Sequence, residues 1–303
     1  HLHELRAGGE CIEMLKFREF FRRVRRPATT GKLVEMAMVF FRRCDHGLVV
    51  PAVSNAASGV HLRLFSTYIA DCGMTSLYAG MTNMKHVDIF APTENDRAFL
   101  QQEWAELTAD LPKSTAREAG ENLFAAYEEK NRAYHNLAHI AALLRHCNDH
   151  HDALTDVAAV KFAIWFHDCV YKTSRKDNEI KSANFAEMYL TALGVPETRR
   201  QAVTKMILAT QKHDGTDATG DGKYFLDFDL SILGTPINIY RAYANAIRYE
   251  YRLVPNFFYR PGRREVLVSF FNRPRLYFTD AFFASHETRA RENLQAEIQT
   301  LSS

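Results

Sequence analysis

No segment of this 303-residue sequence reaches the roughly 18 uninterrupted apolar residues of a membrane-spanning helix. The N-terminal stretch lacks the apolar core of a secretory signal. An excess of one charge is also missing: 38 Lys and Arg against 36 Asp and Glu leave +2. That balance argues against a polybasic nucleic-acid binder and against a disordered acidic tail. Cysteine is sparse, with five residues at positions 11, 44, 72, 147 and 169 and no C-x-x-C pair. An odd, scattered set suits neither a disulfide framework nor a cysteine zinc knuckle, and it fits a reducing compartment. A soluble, cytoplasmic chain is therefore expected. Alternating apolar and polar residues, the mark of strands, are missing over any useful length.

What is present divides in two. Residues 1–93 hold short apolar runs broken by Gly, Pro, Ser and Asn, and read as an N-terminal extension without an assignable role. One helix is expected there, Cys11–Arg25, where Phe17, Phe20 and Phe21 mix with arginines. From about Glu94 to the end the apolar residues recur at helical spacing. Cap-type residues precede Phe99, and further helices are expected over Thr115–Lys130, Asn131–His150, Thr155–Cys169, Asp177–Leu193 and Glu197–Lys212. Three more follow over Pro236–Leu253, Arg263–Phe271 and Asp280–Gln299. The fold class is all-α, a single-core bundle over residues 94–303.

Four places carry chemistry. His135 and His139 stand four apart, so on a helix they address one centre, and imidazole is a common metal ligand. His167 and Asp168 close the apolar run Val160–Phe166, where a buried carboxylate needs a partner or a cation. Asp227 and Asp229 sit among Phe, Leu and Ile; one can cap a helix, and the other wants a cation. Carboxylate plus imidazole suits Mn, Mg, Zn, Fe, Co or Ni without ranking them. Near the end Arg241, Tyr259, Arg260 and Arg263 form a basic and aromatic group suited to phosphate.

The ordered set His139, His167-Asp168 and Asp229 resembles the HD-domain superfamily of metal-dependent phosphohydrolases. R-x-Y-H-x-x-x-H-I, WFHDxVY, DNE and FLDxDLxILG are similar to its bacterial predicted-phosphohydrolase branch, over about residues 98–300. The resemblance implies that His139, His167, Asp168 and Asp229 hold one or two divalent cations. Tyr134-His135-Asn136-x-x-His139 also resembles a segment of the cyclic-nucleotide phosphodiesterases, which implies that His135 is the general acid. Glu179, His213 and Asp227 are expected around these ligands. The implied substrate is a small phosphate ester such as a nucleotide, cleaved by water activated at the cation. An iron-dependent oxygenase on the same scaffold and a non-catalytic nucleotide-binding protein are the alternatives.

Overall fold

The structure is a computed structural model that describes residues 88–302 apart from 214, 216, 217 and 219. The N-terminal expectations, including the helix over Cys11–Arg25, lie outside the described residues. The described residues contain ten α-helices and no strand, in agreement with the all-α reading. In chain order the helices are α1 (Glu94–Leu107), α2 (Lys113–Tyr127), α3 (Leu137–Asp149), α4 (Val157–Phe166) and α5 (Asn178–Ala192). They continue with α6 (Glu197–Ala209), α7 (Gly220–Leu230), α8 (Ile237–Glu250), α9 (Asn256–Phe271) and α10 (Asp280–Ser302). No helix among the described residues is long and apolar enough to cross a membrane.

Local chemistry sets the helix starts. Thr93 accepts from the Asp96 amide at 3.1 Å while Asp96 accepts from the Thr93 amide at 2.9 Å, a reciprocal box that opens α1. Asp156 caps α4 through the Ala159 amide. The third helix starts later than expected. Asn136 accepts from the Ala138 amide, so α3 begins at Leu137 and residues 131–136 form the turn before it. His135 therefore precedes the helix that carries His139.

The core sits around α4. Phe162, Ile164, Trp165 and Phe166 are all buried, and α4 packs against α3, α5, α6 and α7. Each such side chain contributes about 1.5–3 kcal/mol through burial, so α4 is strongly held. Its C-terminal end, where His167 follows, is fixed with it.

Two elements depart from the sequence reading. The α7 helix was not expected, because its first turn holds Gly220 and Gly222, poor helix formers. Burial of Phe225, Leu226, Phe228 and Leu230 overrides that weakness. The α9 helix begins at Asn256 rather than Arg263 and runs through Pro261. The carbonyl that loses its partner belongs to Phe257, a 68% exposed residue, so water reaches it.

Gly120 on α2 tests how tightly the bundle closes. A Cβ there would lie 2.7 Å from Nε1 of Trp104, whose indole donates to the Ala116 carbonyl. Alanine favours a helix over glycine by about 1 kcal/mol, whereas overpacking costs about 1–3 kcal/mol. Gly120→Ala is expected to lower the melting temperature. An equal or higher value would mean that the indole has room to move.

Candidate metal centre

Three helices converge on one point. His139 comes from the first turn of α3, His167 from the C-terminal end of α4 and Asp229 from the last turn of α7. His139 and His167 are almost fully buried. Their Nε2 atoms lie 3.3 Å apart, and Asp229 Oδ1 is 3.4 Å from the first and 3.8 Å from the second. His167 Nδ1 donates to the Ile164 carbonyl at 2.9 Å, which leaves Nε2 with the lone pair in the neutral ring.

This group could hold a metal ion: one ligand atom from each of the three residues lies within 4.8 Å of the others. Two of the three separations fit the chemistry, and the third, 3.8 Å between His167 Nε2 and Asp229 Oδ1, is somewhat wider. Two donors about 2.1 Å from one centre, at tetrahedral or octahedral angles, stand about 3.0–3.4 Å apart. Asp168 borders the cluster, its Oδ2 3.3 Å from His167 Nε2 and 3.9 Å from His135 Nε2. Two imidazoles and carboxylate oxygens suit a borderline divalent cation.

The electrostatics bind the group together. Burial works against a charged His167, yet the carboxylates of Asp168 and Asp229 outweigh it and raise its pKa to about 9. Asp168 and Asp229 are driven the other way: burial would raise them, and the neighbouring imidazoles hold them below the usual carboxylate range. His139 is pushed down, chiefly by burial.

His135 stands beside this cluster on its own support. Glu250, on the last turn of α8 with its side chain wholly buried, accepts from His135 Nδ1 at 2.7 Å. It also accepts from the amides of Tyr134 and His135 and from the Tyr171 hydroxyl. Burial alone would lower the His135 pKa, but the Glu250 charge raises it instead. Arg132, itself buried, donates to the carbonyls of His135, Asp168 and Cys169, so one guanidinium ties the two motifs together. The rings of Tyr134 and Tyr171 lie 4.9 Å from His139 and 4.3 Å from His135, respectively.

The remaining expectations divide. His213 Nε2 donates to Asp229 Oδ2 at 2.8 Å, from a backbone with φ of 46°. Asp227 is not part of the site. Residues two apart on a helix point about 200° apart, so Asp227 faces away when Asp229 faces in. It accepts from the amides of Phe278 and Thr279 and from the Thr279 hydroxyl, just ahead of α10. Glu179, in the first turn of α5, makes no hydrogen bond to the cluster among the described residues.

The residues expected to grip phosphate lie in different settings. Arg260 donates to the Thr300 carbonyl, Arg241 lies on the exposed side of α8, and Tyr259 is buried beneath Arg248. Arg263 bonds to Glu297 and lies over the Tyr243 ring, so its charge is already paired.

Sequence reasoning missed Glu250 and the role of Arg132. A signal for Glu250 exists: it continues the buried face of α8 formed by Tyr240, Tyr243 and Ile247. An acid in register with an apolar face needs a partner.

No family model, no curated protein and no solved structure matches this chain.

Two outcomes follow from the geometry. In metal analysis after reconstitution, Asp229→Ala should lose most bound divalent ion. Asp227→Ala should retain it and instead lose stability by about 1–3 kcal/mol, because three donors are orphaned. Equal metal loss in both would contradict the assignment of opposite faces. The second concerns pH. Burial works against the Glu250 charge, but His135 and the two amides hold its pKa at about 2, below the ordinary 4.5. Its contribution is therefore complete above pH 4.5 and fades as pH falls towards 2, by on the order of 3 kcal/mol. The stability gap between the native chain and Glu250→Gln should narrow across that window; a constant gap would mean that the carboxylate does not titrate there.

Proposed function

We propose that this chain is a divalent-metal-dependent phosphohydrolase of the HD-domain type, acting on a small phosphate ester of the nucleotide class. The observation that carries the reading is the convergence of His139, His167 and Asp229 beside a separately supported His135. A cation held by those three residues, with Asp168 alongside, supplies Lewis acidity: it neutralises phosphoryl charge and lowers the pKa of water towards neutrality.

The chain's own groups do the rest. Glu250 holds the Nδ1 proton of His135 and favours the charged imidazole, in which Nε2 would carry a proton on the side nearest Asp168. That proton goes to the departing oxygen of the ester, the role of a general acid. Asp168 and Asp229 stay ionised, so they bind positive charge rather than compete for the proton. Tyr171 and Arg132 fix the two motifs in register, through Glu250 and through backbone carbonyls. The rings of Tyr134, Tyr171 and Tyr243 wall the site and limit water access.

The hydrolase reading is preferred to the oxygenase because the extra histidines of a diiron site are only partly present, with His213 beside Asp229 a lone candidate. It is preferred to a non-catalytic binder because the full set of ligand residues is present together with an acid.

A phosphate-release screen over nucleotides with Mn, Mg, Co, Ni, Zn and Fe tests the proposal. His135→Ala should retain bound metal and lose about 10²–10⁴ in turnover. His167→Ala should lose both metal and turnover. No phosphate release from any compound with any of these ions would overturn the reading, as would full turnover by His135→Ala.

A further inference from the structure

Apart from the metal centre, three imidazoles surround a pair of phenyl rings. Phe228 of α7 and Phe282 of α10 are buried, with ring centroids 5.6 Å apart. His146, in the last turn of α3, stacks on Phe228 at 5.9 Å and meets Phe282 edge-on at 5.5 Å. His150, just past the end of α3, lies 5.7 Å from Phe228 and 5.1 Å from Phe282. His286 of α10 stacks on Phe282 at 4.9 Å. Three helices thus meet through one knot of rings, and the three imidazoles are half-buried in it.

The knot suits neutral rings. His150 Nδ1 donates to the His146 carbonyl at 2.9 Å, and His286 Nδ1 pairs with the Ser285 hydroxyl at 2.7 Å. The charged and titratable groups that face His146 are Asp149 and His150 from α3 and its end, and His286 from α10, with Arg289 adding positive charge at His286. The acids of α7 turn elsewhere: Asp221 accepts from the amides of Thr155 and Asp156, and Asp227 from those of Phe278 and Thr279. Tyr224 of α7 and Tyr277 before α10 close the knot with their rings, against His150 and His286. Burial, then His286 and His150, push His146 down to about 4 from the ordinary 6.5, against the pull of Asp149. Burial, Arg289 and His150 lower His286 as well. Slack is small, because α10 is pinned beyond the knot: Arg289 donates to the Gly234 carbonyl and Asn293 to those of Leu233 and Thr235. A Cβ on Gly234 would stand 2.6 Å from the Cβ of His286.

We propose that His146, His150 and His286 form an acid-sensitive latch: as neutral rings they seat Phe228 and Phe282 and hold α7 and α10 on α3, and protonation releases that junction. The proposal rests on the fold and is independent of the hydrolase reading. Its reach extends to the metal centre through Phe228, which immediately precedes Asp229 on α7. The knot that seats Phe228 therefore helps to set how α7 is turned. Protons bind the open junction more readily than the closed one, so the latch is whole above pH 6.5 and weakens as pH falls towards 4. For His146 alone, that difference raises the open fraction on the order of tenfold between pH 7.5 and 5.

The test is amide hydrogen exchange of the full chain, read by mass spectrometry at about pH 7.5 and 5 and corrected for the intrinsic pH dependence of exchange. In the native chain, α7 and the first half of α10 should lose protection on the order of tenfold at the lower pH, while α4 and α5 keep theirs. His146→Phe keeps a ring in the knot and takes up no proton, so it should remove most of that loss. His286→Phe repeats the test from α10. Circular dichroism checks that both variants fold, and where one does not, the other decides. Full protection of α7 and α10 in the native chain at pH 5 overturns the latch. Equal loss in the native chain and the folded variants does so too, as does a loss spread evenly over all the described helices.

Discussion

Two imidazole nitrogens held 3.3 Å apart, with a carboxylate oxygen within 3.8 Å of both, are the constraint around which the described helices are arranged. Such groups are costly to remove from water unless each has a fixed partner. Each has one: the Ile164 carbonyl for His167, His213 for the far oxygen of Asp229, and the facing imidazoles and carboxylates for the rest. Tolerance is small. A slip of one residue in α7 turns the helix by about 100° and would present Phe228 in place of Asp229. The apolar burial of Phe225, Phe228 and Leu230 fixes the register that keeps the carboxylate inward.

A second layer of contacts spans segments far apart in sequence. Glu250 gathers four donors from Tyr134, His135 and Tyr171, joining the end of α8 to the turn before α3 and the turn after α4. Arg132 reaches the same two turns from the opposite charge, through three carbonyls. An acid and a base, both buried, thus cross-brace one pair of turns. His135 and Asp168 cannot drift apart without breaking several charge-assisted hydrogen bonds, each worth about 1.5–3 kcal/mol.

Much of this was legible in the residues, for identifiable reasons. The strongly apolar run at 160–166, broken only by Lys161, marks a helix buried on most sides, and the box at Thr93–Asp96 marks the start of the helical region. His139, His167 and Asp229 stood out because they are polar groups set where burial is unavoidable. Glu250 did not, because it lies among Arg and Tyr in the stretch IRYEY, and only its register on α8 betrays its burial. The start of α3 was misread because Asn136 serves as a cap while its neighbours also fit helical spacing. For the arginines near the C-terminus, density of charge says nothing about which carbonyl or carboxylate already holds it. Arg260 and Arg263 are held by Thr300 and Glu297, both on α10.

Charge balance joins these layers. Two carboxylates, Asp168 and Asp229, face two imidazoles inside the bundle, so some positive charge must complete the group. A proton on His167 is one means, which is why its pKa rises to about 9 despite burial that opposes the charge. A divalent cation held by His139, His167 and Asp229 would be the other, and it would compete with that proton, since both need the Nε2 lone pair. His135 is spared this competition. Glu250 meets its Nδ1, on the side of the ring away from Asp168, and favours the charged form there, apart from the cluster's own ligand atoms. The two carboxylate systems are separate, Asp168 and Asp229 at the cluster and Glu250 behind His135, and under the proposed function this separation would let one site hold a Lewis acid and a proton donor at the same pH.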